Sequence, residues 1–315
     1  MSIKGLIKGL HHVTATVDGA QEDYDFYVKL LGQRLVKETV NFDNEKVYHF
    51  YYGNEIAVPS TIFTTFPYRG QGVRKGVIGT GQVTETIYSA PKGSMLFWKN
   101  RLQRHGVDVI EEQRFGESYL FFNDPSGLVI GILEDETDTR EPVWLSDGIT
   151  KNNALPGVHH VTFAVENLSE TLPFLEAFGY EQIQSDGLYT RMEAGVGGAG
   201  NTIVVQDGSE LPRGINGLGT VHHVAHRVAS IEDSLKIKAF IEDEFGINVT
   251  EVKDRKYFQS IYFRIPGNVI FEVATEGPGF MVDETNEELG TSLKLPDWQE
   301  VRREQIEKNL TGFNR

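Results

Sequence analysis

The sequence predicts an α+β protein built from four βαβββ modules arranged as two pairs, followed by a helical tail. Three observations carry that prediction. A nine-residue phrase occurs three times, as GLHHVTATV from Gly9, GVHHVTFAV from Gly157 and TVHHVAHRV from Thr220, which marks copies of one ancestral unit. After each phrase the apolar spacing changes from the strand period of two to the helical 3.6 and back. A polar, acidic, proline-punctuated stretch, Glu134 to Pro156, separates the copies into two halves.

Each element can be read in turn. In the first module Leu10 to Val17 is a strand, and Glu22 to Leu31 has apolar residues at helical spacing before the stop at Gly32. Strands follow at Arg34 to Asn41, Val47 to Tyr52 and Ser60 to Phe66. The second module repeats the order with strand Val83 to Ser89, helix Ser94 to His105, and strands Val107 to Phe115, Ser118 to Asn123 and Leu128 to Leu133. The third opens near His159, with helix Leu168 to Phe178 and a closing strand Thr202 to Gln206. The fourth runs from Val221 through helix Ser230 to Phe245 to strands Gln259 to Arg264 and Asn268 to Ala274. This divides the chain into a pair of modules over 1–145, a second pair over 146–282, and a tail over 283–315. In the tail, Pro296 to Leu310 reads as a charged helix with Ile306 and Leu310 on one side, suited to docking on the protein surface or on a second subunit.

Composition narrows the function. The 315 residues carry 45 acidic against 30 basic side chains, a formal charge of -15 that repels nucleic acid and anionic membrane. There is no cysteine, which excludes disulfides, thiolate catalysis and zinc-thiolate sites, so any metal must be held by nitrogen and oxygen. No apolar stretch approaches a membrane span or a signal core, making a cytoplasmic location the default expectation.

Seven of the nine histidines lie in the repeated phrases, six of them as adjacent pairs. Alternation along a strand sends only one member of each pair into a given cavity. In the first phrase His11 shares parity with Val13, Ala15 and Val17, whereas His12 shares it with Thr14 and Thr16, the polar face. Module equivalence then selects His160 and His223 in the other copies, although His226 joins Val224 and Val228 on the supposed packed face. Glu272 stands within the apolar run Val269, Ile270, Phe271 and Val273, where an unpaired carboxylate carries a large desolvation cost that a divalent cation would remove. Aligning the fourth copy with the second puts Ile132 opposite Glu272, and the other closing strands offer no embedded acid, so one metal site is expected rather than two. Two histidines and one carboxylate leave open coordination positions, as in non-haem Fe(II) sites, though zinc hydrolases can use a similar set. No HExxH helix of the zincin kind is present.

The module count and the HHVT openings, with EDETDTREP and DRKYFQSIYFRIPGNVIFEVATEGPGF, resemble the vicinal oxygen chelate superfamily over nearly the whole chain, and within it the hydroquinone-type ring-cleaving dioxygenases. The resemblance implies His12, His223 and Glu272 as ligands of Fe(II), with Mn(II) the other candidate and a different divalent metal able to occupy the site on purification. It implies Tyr262, His11, His222, Thr14 and Arg255 around a small aromatic diol, with dioxygen as co-substrate. A second-shell role for His11 or His222 would be to shuttle the phenolic proton, for Tyr262 to donate to the metal-bound oxygen, and for Arg255 to bind a negative substituent. A homodimer is the default assembly.

Alternatives stand beside this reading. His160 competes with His12 as first ligand, because ordinary two-domain extradiol enzymes draw that ligand from the third copy. His49 reads as a strand residue packed among tyrosines, His105 as a helix-end cation, and GVGGAGN from Gly195 as a hairpin or substrate lid. A glyoxalase-type isomerase or thiol transferase would want a fourth ligand, for which Gln206 is the obvious substitute. A sequestering protein would need a cavity and no redox metal.

Overall fold

The computed structural model describes residues 3–146 and 148–315. Module one comprises β1 (Leu10–Val17), α1 (Ala20–Tyr24), β2 (Arg34–Asn41), β3 (Asn44–Gly53) and β4 (Ile62–Pro67). Module two comprises β5 (Gln82–Ala90), α2 (Met95–Arg104), β6 (Ile110–Arg114), β7 (Glu117–Asn123) and β8 (Val129–Glu134). Module three has β9 (Val158–Val165), α3 (Leu168–Phe178), β10 (Glu181–Asp186), β11 (Tyr189–Glu193) and β12 (Thr202–Asp207). Module four has β13 (Thr220–Val228), α4 (Ile231–Phe245), β14 (Lys253–Asp254), β15 (Gln259–Arg264) and β16 (Ile270–Thr275). The α+β class and the fourfold βαβββ order follow the sequence expectation.

Local chemistry sets these boundaries. The Asn167 side chain accepts from the Ser169 amide and that of Ser230 from the Asp233 amide, so α3 and α4 begin on N-caps. Both end on a glycine in the left-handed region, Gly179 and Gly246. The first helix departs from expectation: it starts at Ala20 and widens over Asp25–Leu30 into a π-helix, with the Leu31 amide donating five residues back to the Phe26 carbonyl at 2.9 Å. This turns Tyr27 inward, where it stacks on Tyr52 and Phe63.

The strands form two half-barrel sheets of eight, ordered β14-β15-β16-β13-β1-β4-β3-β2 and β10-β11-β12-β9-β5-β8-β7-β6. The first therefore joins modules one and four, and the second joins two and three. The ranges 1–145 and 146–282 are units of sequence rather than of sheet, because β1 gives its free edge to β13 and β5 gives its own to β9, both antiparallel. One hydrophobic core runs beneath both sheets and takes in residues of every module.

The tail is two short helices, α5 (Asp297–Glu300) and α6 (Arg303–Asn309), instead of one. Ile306 is fully buried with Val40 and Leu295, so the tail docks on module one. No helix among the described residues is long and apolar enough to cross a membrane.

Candidate metal centre

The three histidine pairs share a distortion that strict alternation does not anticipate. Along β1 the pairing with β13 steps from Leu10 to His12 and passes over His11; on β13 it steps from Val221 to His223 and passes over His222. On β9 it steps from Val158 to His160 and passes over His159. The first histidine of each pair is thus the extra residue of a β-bulge. The bulge swings it toward its neighbour, leaving Nδ1–Nδ1 distances of 2.9 Å for His11–His12, 2.8 Å for His159–His160 and 2.8 Å for His222–His223. The Nδ1 of the second histidine is engaged there, so its Nε2 is the atom left to face a site.

At one place two such nitrogens meet a carboxylate. His12 Nε2 lies 3.3 Å from His223 Nε2, Glu272 Oε2 lies 3.3 Å from the former and 2.8 Å from the latter, and all three side chains are buried. A divalent first-row ion with bonds of about 2.1 Å sets ligand atoms about 3.0 Å apart on an octahedral edge and about 3.4 Å apart on a tetrahedral one. Two sides of the observed triangle, at 3.3 Å, fall within that span, and the third, at 2.8 Å, lies just under the octahedral edge. Glu272 Oε2 accepts no aligned hydrogen bond from either ring, while Oε1 accepts one from Ser260 Oγ at 2.5 Å, so one oxygen is anchored and the other is free for a cation. Burial alone would push the Glu272 carboxyl up, but the His12 and His223 imidazoles hold it well below the usual range. Burial keeps the His223 imidazole low, only partly opposed by Glu272. Ionised carboxylate and neutral imidazole are the forms that bind metal. Among the described residues this is the one group of three or more such side chains able to hold an ion.

The triangle sits in a cavity of about 460 Å³, within the usual range for small-ligand sites. Thr14, Tyr262, Arg255 and His222 line it, with His222 exposed to solvent. His11 does not line it: it sits behind His12 and against Phe258, its ring centroid 5.0 Å from that ring, and burial drives its pKa down to about 3. Arg255 Nε donates to the Tyr262 hydroxyl at 3.1 Å, and its Nη1 donates to Asp43 Oδ2 at 3.2 Å across the opening. Burial and then Glu272 push the Tyr262 phenol up, so it stays protonated.

Sequence reasoning missed Ser260, which parity with Tyr262 on β15 could have revealed. Asn41, Phe42, Asp43, Tyr68 and Phe258 also line the cavity, and no local signal marks them, because the β2–β3 turn, the end of β4 and the approach to β15 reach the site only through the fold.

His160 lies in the other sheet, buried with its ring 6.0 Å from that of Tyr119, and is not brought to His223 or Glu272. The sheet registers show what fills the matching positions there. Thr14 pairs with His223 as Thr162 pairs with Glu85, and Ala225 pairs with Glu272 as Ile87 pairs with Gly131. Gly131, not Ile132, is therefore the counterpart of Glu272: the two strands match without a gap from Pro125 and Pro266, and placing Ile132 there requires a one-residue insertion that the sheet does not contain. Arg114 holds Glu85 with two hydrogen bonds of 2.7 and 2.9 Å and stacks over Phe121 and Tyr189, so the second sheet's equivalent space is filled by an ion pair and aromatic rings.

A half-barrel pair with two histidines and a glutamate able to hold a metal on one face defines a modular βαβββ class. The chain belongs to the Glyoxalase/Bleomycin resistance protein/Dioxygenase superfamily, whose family model matches residues 9–132. It is 43% identical over 300 residues, 95% of this chain and 97% of the relative, to a Bacillus subtilis protein provisionally named ring-cleaving dioxygenase MhqE. It is 39% identical, over 94% of this chain and 93% of the relative, to the chlorohydroquinone/hydroquinone 1,2-dioxygenase of Sphingobium indicum. A crystal structure of a Bacillus subtilis protein, provisionally titled a dioxygenase, superposes with a TM-score of 0.93 at 43% identity, covering 98% of both chains.

Proposed function

We propose that this protein is a metal-dependent ring-cleaving dioxygenase of the extradiol type, acting on a hydroquinone or catechol with dioxygen, and that His12, His223 and Glu272 hold Fe(II), with Mn(II) the other candidate. The observation that carries this reading is the convergence of three buried donor atoms within 3.3 Å on the floor of the cavity. The names of the relatives support the reaction class. When bound, such an ion would supply open positions for a phenolic oxygen and for dioxygen.

The chain's own residues supply the rest. Arg255, placed beside Tyr262 and facing the cavity, offers a fixed cation for the negative charge that ionisation of the substrate creates. Because Arg255 donates to the Tyr262 oxygen, the phenolic hydrogen of Tyr262 is left free to point at a substrate oxygen. His222, exposed to solvent and touching His223 through Nδ1, is placed to pass the substrate's proton to solvent. His11 acts from behind, fixing the orientation and tautomer of His12. Phe258, Phe66 and Tyr51 give the walls an aromatic face for a flat ring.

The test is anaerobic reconstitution with Fe(II) or Mn(II), followed by oxygen-uptake assays against a panel of hydroquinones and catechols. Uptake that is lost in Glu272→Ala and His12→Ala supports the assignment. Absence of uptake with every diol and both metals overturns it.

A further inference from the structure

One half-buried side chain of the cavity wall has no part in the chemistry above. His49, on β3, is clamped between Tyr51 and Phe66 with ring centroids 4.0 and 4.2 Å away. Its Nε2 lies 2.8 Å from Thr64 Oγ1 on β4, and Thr64 donates to Thr14 Oγ1 on β1 at 2.9 Å. The strands run β3-β4-β1 in the sheet, with Tyr51 opposite Thr64 and Thr64 opposite Thr14. The three polar groups therefore form a line across the sheet that ends at the cavity, two residues from His12.

Two hydrogen arrangements close this line, and they differ in the His49 tautomer. In the one in which Thr64 gives its single hydroxyl hydrogen to Thr14, the His49 nitrogen facing Thr64 is the donor. Thr14, already accepting from Thr64, keeps its own hydrogen for the cavity it lines. Reversing the His49 tautomer would reverse every bond and turn Thr14 into an acceptor. The aromatic clamp prevents the ring from flipping to present its other nitrogen without displacing Tyr51 or Phe66.

We infer that His49 is a positioning residue which, through Thr64, holds the Thr14 hydroxyl as a hydrogen-bond donor aimed at an anionic substrate oxygen. The inference rests on the function proposed above for the identity of that oxygen, but not for the wire itself. An oxyanion is recognised by donors, and one aligned donor is worth the most where charge is developing.

Two measurements test it. In Zn(II)-loaded protein, long-range nitrogen–proton spectra of the histidine side chains, with His49 assigned by its loss in His49→Phe, should show a protonated Nε2 and an unprotonated Nδ1. In Fe(II)-loaded protein, Thr64→Val should lower kcat for hydroquinone about 10-fold while KM changes less than threefold. Thr64→Ser should stay near wild type, His49→Gln should retain more activity than His49→Phe, and His49→Phe/Thr64→Val should be no worse than Thr64→Val. An unprotonated Nε2, or kcat within twofold of wild type in Thr64→Val, overturns the inference. If wild type takes up no oxygen with any diol, the proposed function fails while the spectra still decide the wire.

Discussion

His223 Nε2 and Glu272 Oε2 stand 2.8 Å apart on neighbouring parallel strands, β13 and β16, with Ser260 fixing the far oxygen of the carboxylate. Their closeness is costly unless something positive lies between them and His12.

The first expectation concerns that ion. Titration of metal-free protein with Fe(II) or Mn(II) should give one site per chain. Glu272→Gln, His12→Ala and His223→Ala should each weaken it by about 100-fold or more, since each removes a ligand rather than a supporting group. His160→Ala should leave it unchanged. At 100 times the dissociation constant, metal should add about 2.7 kcal/mol to stability. Full-strength binding in Glu272→Gln would place the ion elsewhere.

Acid should destabilise the metal-free chain. Burial drives His11 and His226 from an ordinary pKa of 6.5 to about 3, and keeps His49 and His160 well below it. Below pH 6.5 the unfolded chain takes up protons that the native state refuses, so stability falls as pH falls toward 3. Each such group contributes up to about 1.4 kcal/mol per pH unit. Urea unfolding between pH 7.5 and 5 should show this slope, and His226→Phe should flatten it by about 1 kcal/mol per unit. An unchanged slope in that variant would refute the assignment.

Asp23 works in the opposite direction. It is buried, its Oδ2 accepts from Tyr52 at 2.7 Å and Thr65 at 2.6 Å, and its Oδ1 has no partner. Burial raises its pKa from 3.8 to about 8, with those two hydrogen bonds opposing. Between these values the unfolded chain is ionised while the native side chain keeps its proton, so stability drops as pH rises. Asp23→Asn should therefore stabilise the protein more at pH 8 than at pH 5, by about 2–4 kcal/mol in denaturant midpoints converted to free energy. Equal effects at both values would show that the carboxyl is ionised in the fold.

Gly200 joins the two halves. Its carbonyl accepts from the Leu10 amide and its amide donates to the His159 carbonyl, both at 2.8 Å. It has φ of +77°, and an added Cβ would meet Ser60 Cβ at 2.7 Å and Arg140 Nη1 at 2.8 Å. Gly200→Ala should cost about 2–4 kcal/mol, against about 1 kcal/mol for Gly198→Ala, where φ is +74° but nothing lies within 4 Å. Similar losses in the two variants would mean that the contact with Ser60 relaxes freely.

Much of this architecture is legible in the chain because periodicity is local. The switch from alternating to helical spacing places β2, β15 and α3 at their observed ends, and a carboxylate inside an apolar run singles out Glu272. What is not legible depends on distant groups. Regular alternation assumes an even pleat and cannot see that His11, His159 and His222 bulge. Four equivalent strand edges carry no local mark of which two will join, so the pairing of β1 with β13 comes from the whole fold. His49 looks like any strand histidine until Thr64 and Thr14 are set beside it.

The exchange of partners between the sheets has a consequence during synthesis. His12 and His223 are 211 residues apart in the chain, which at translation speeds of about 5–20 residues per second is roughly 10–40 s. For that interval the nascent β1 has no neighbour on one side, and only one of the three proposed metal donors has been made. The centre therefore cannot form on a half-made chain: premature termination after the second module would release a fragment with an open, aggregation-prone edge and no capacity to load metal.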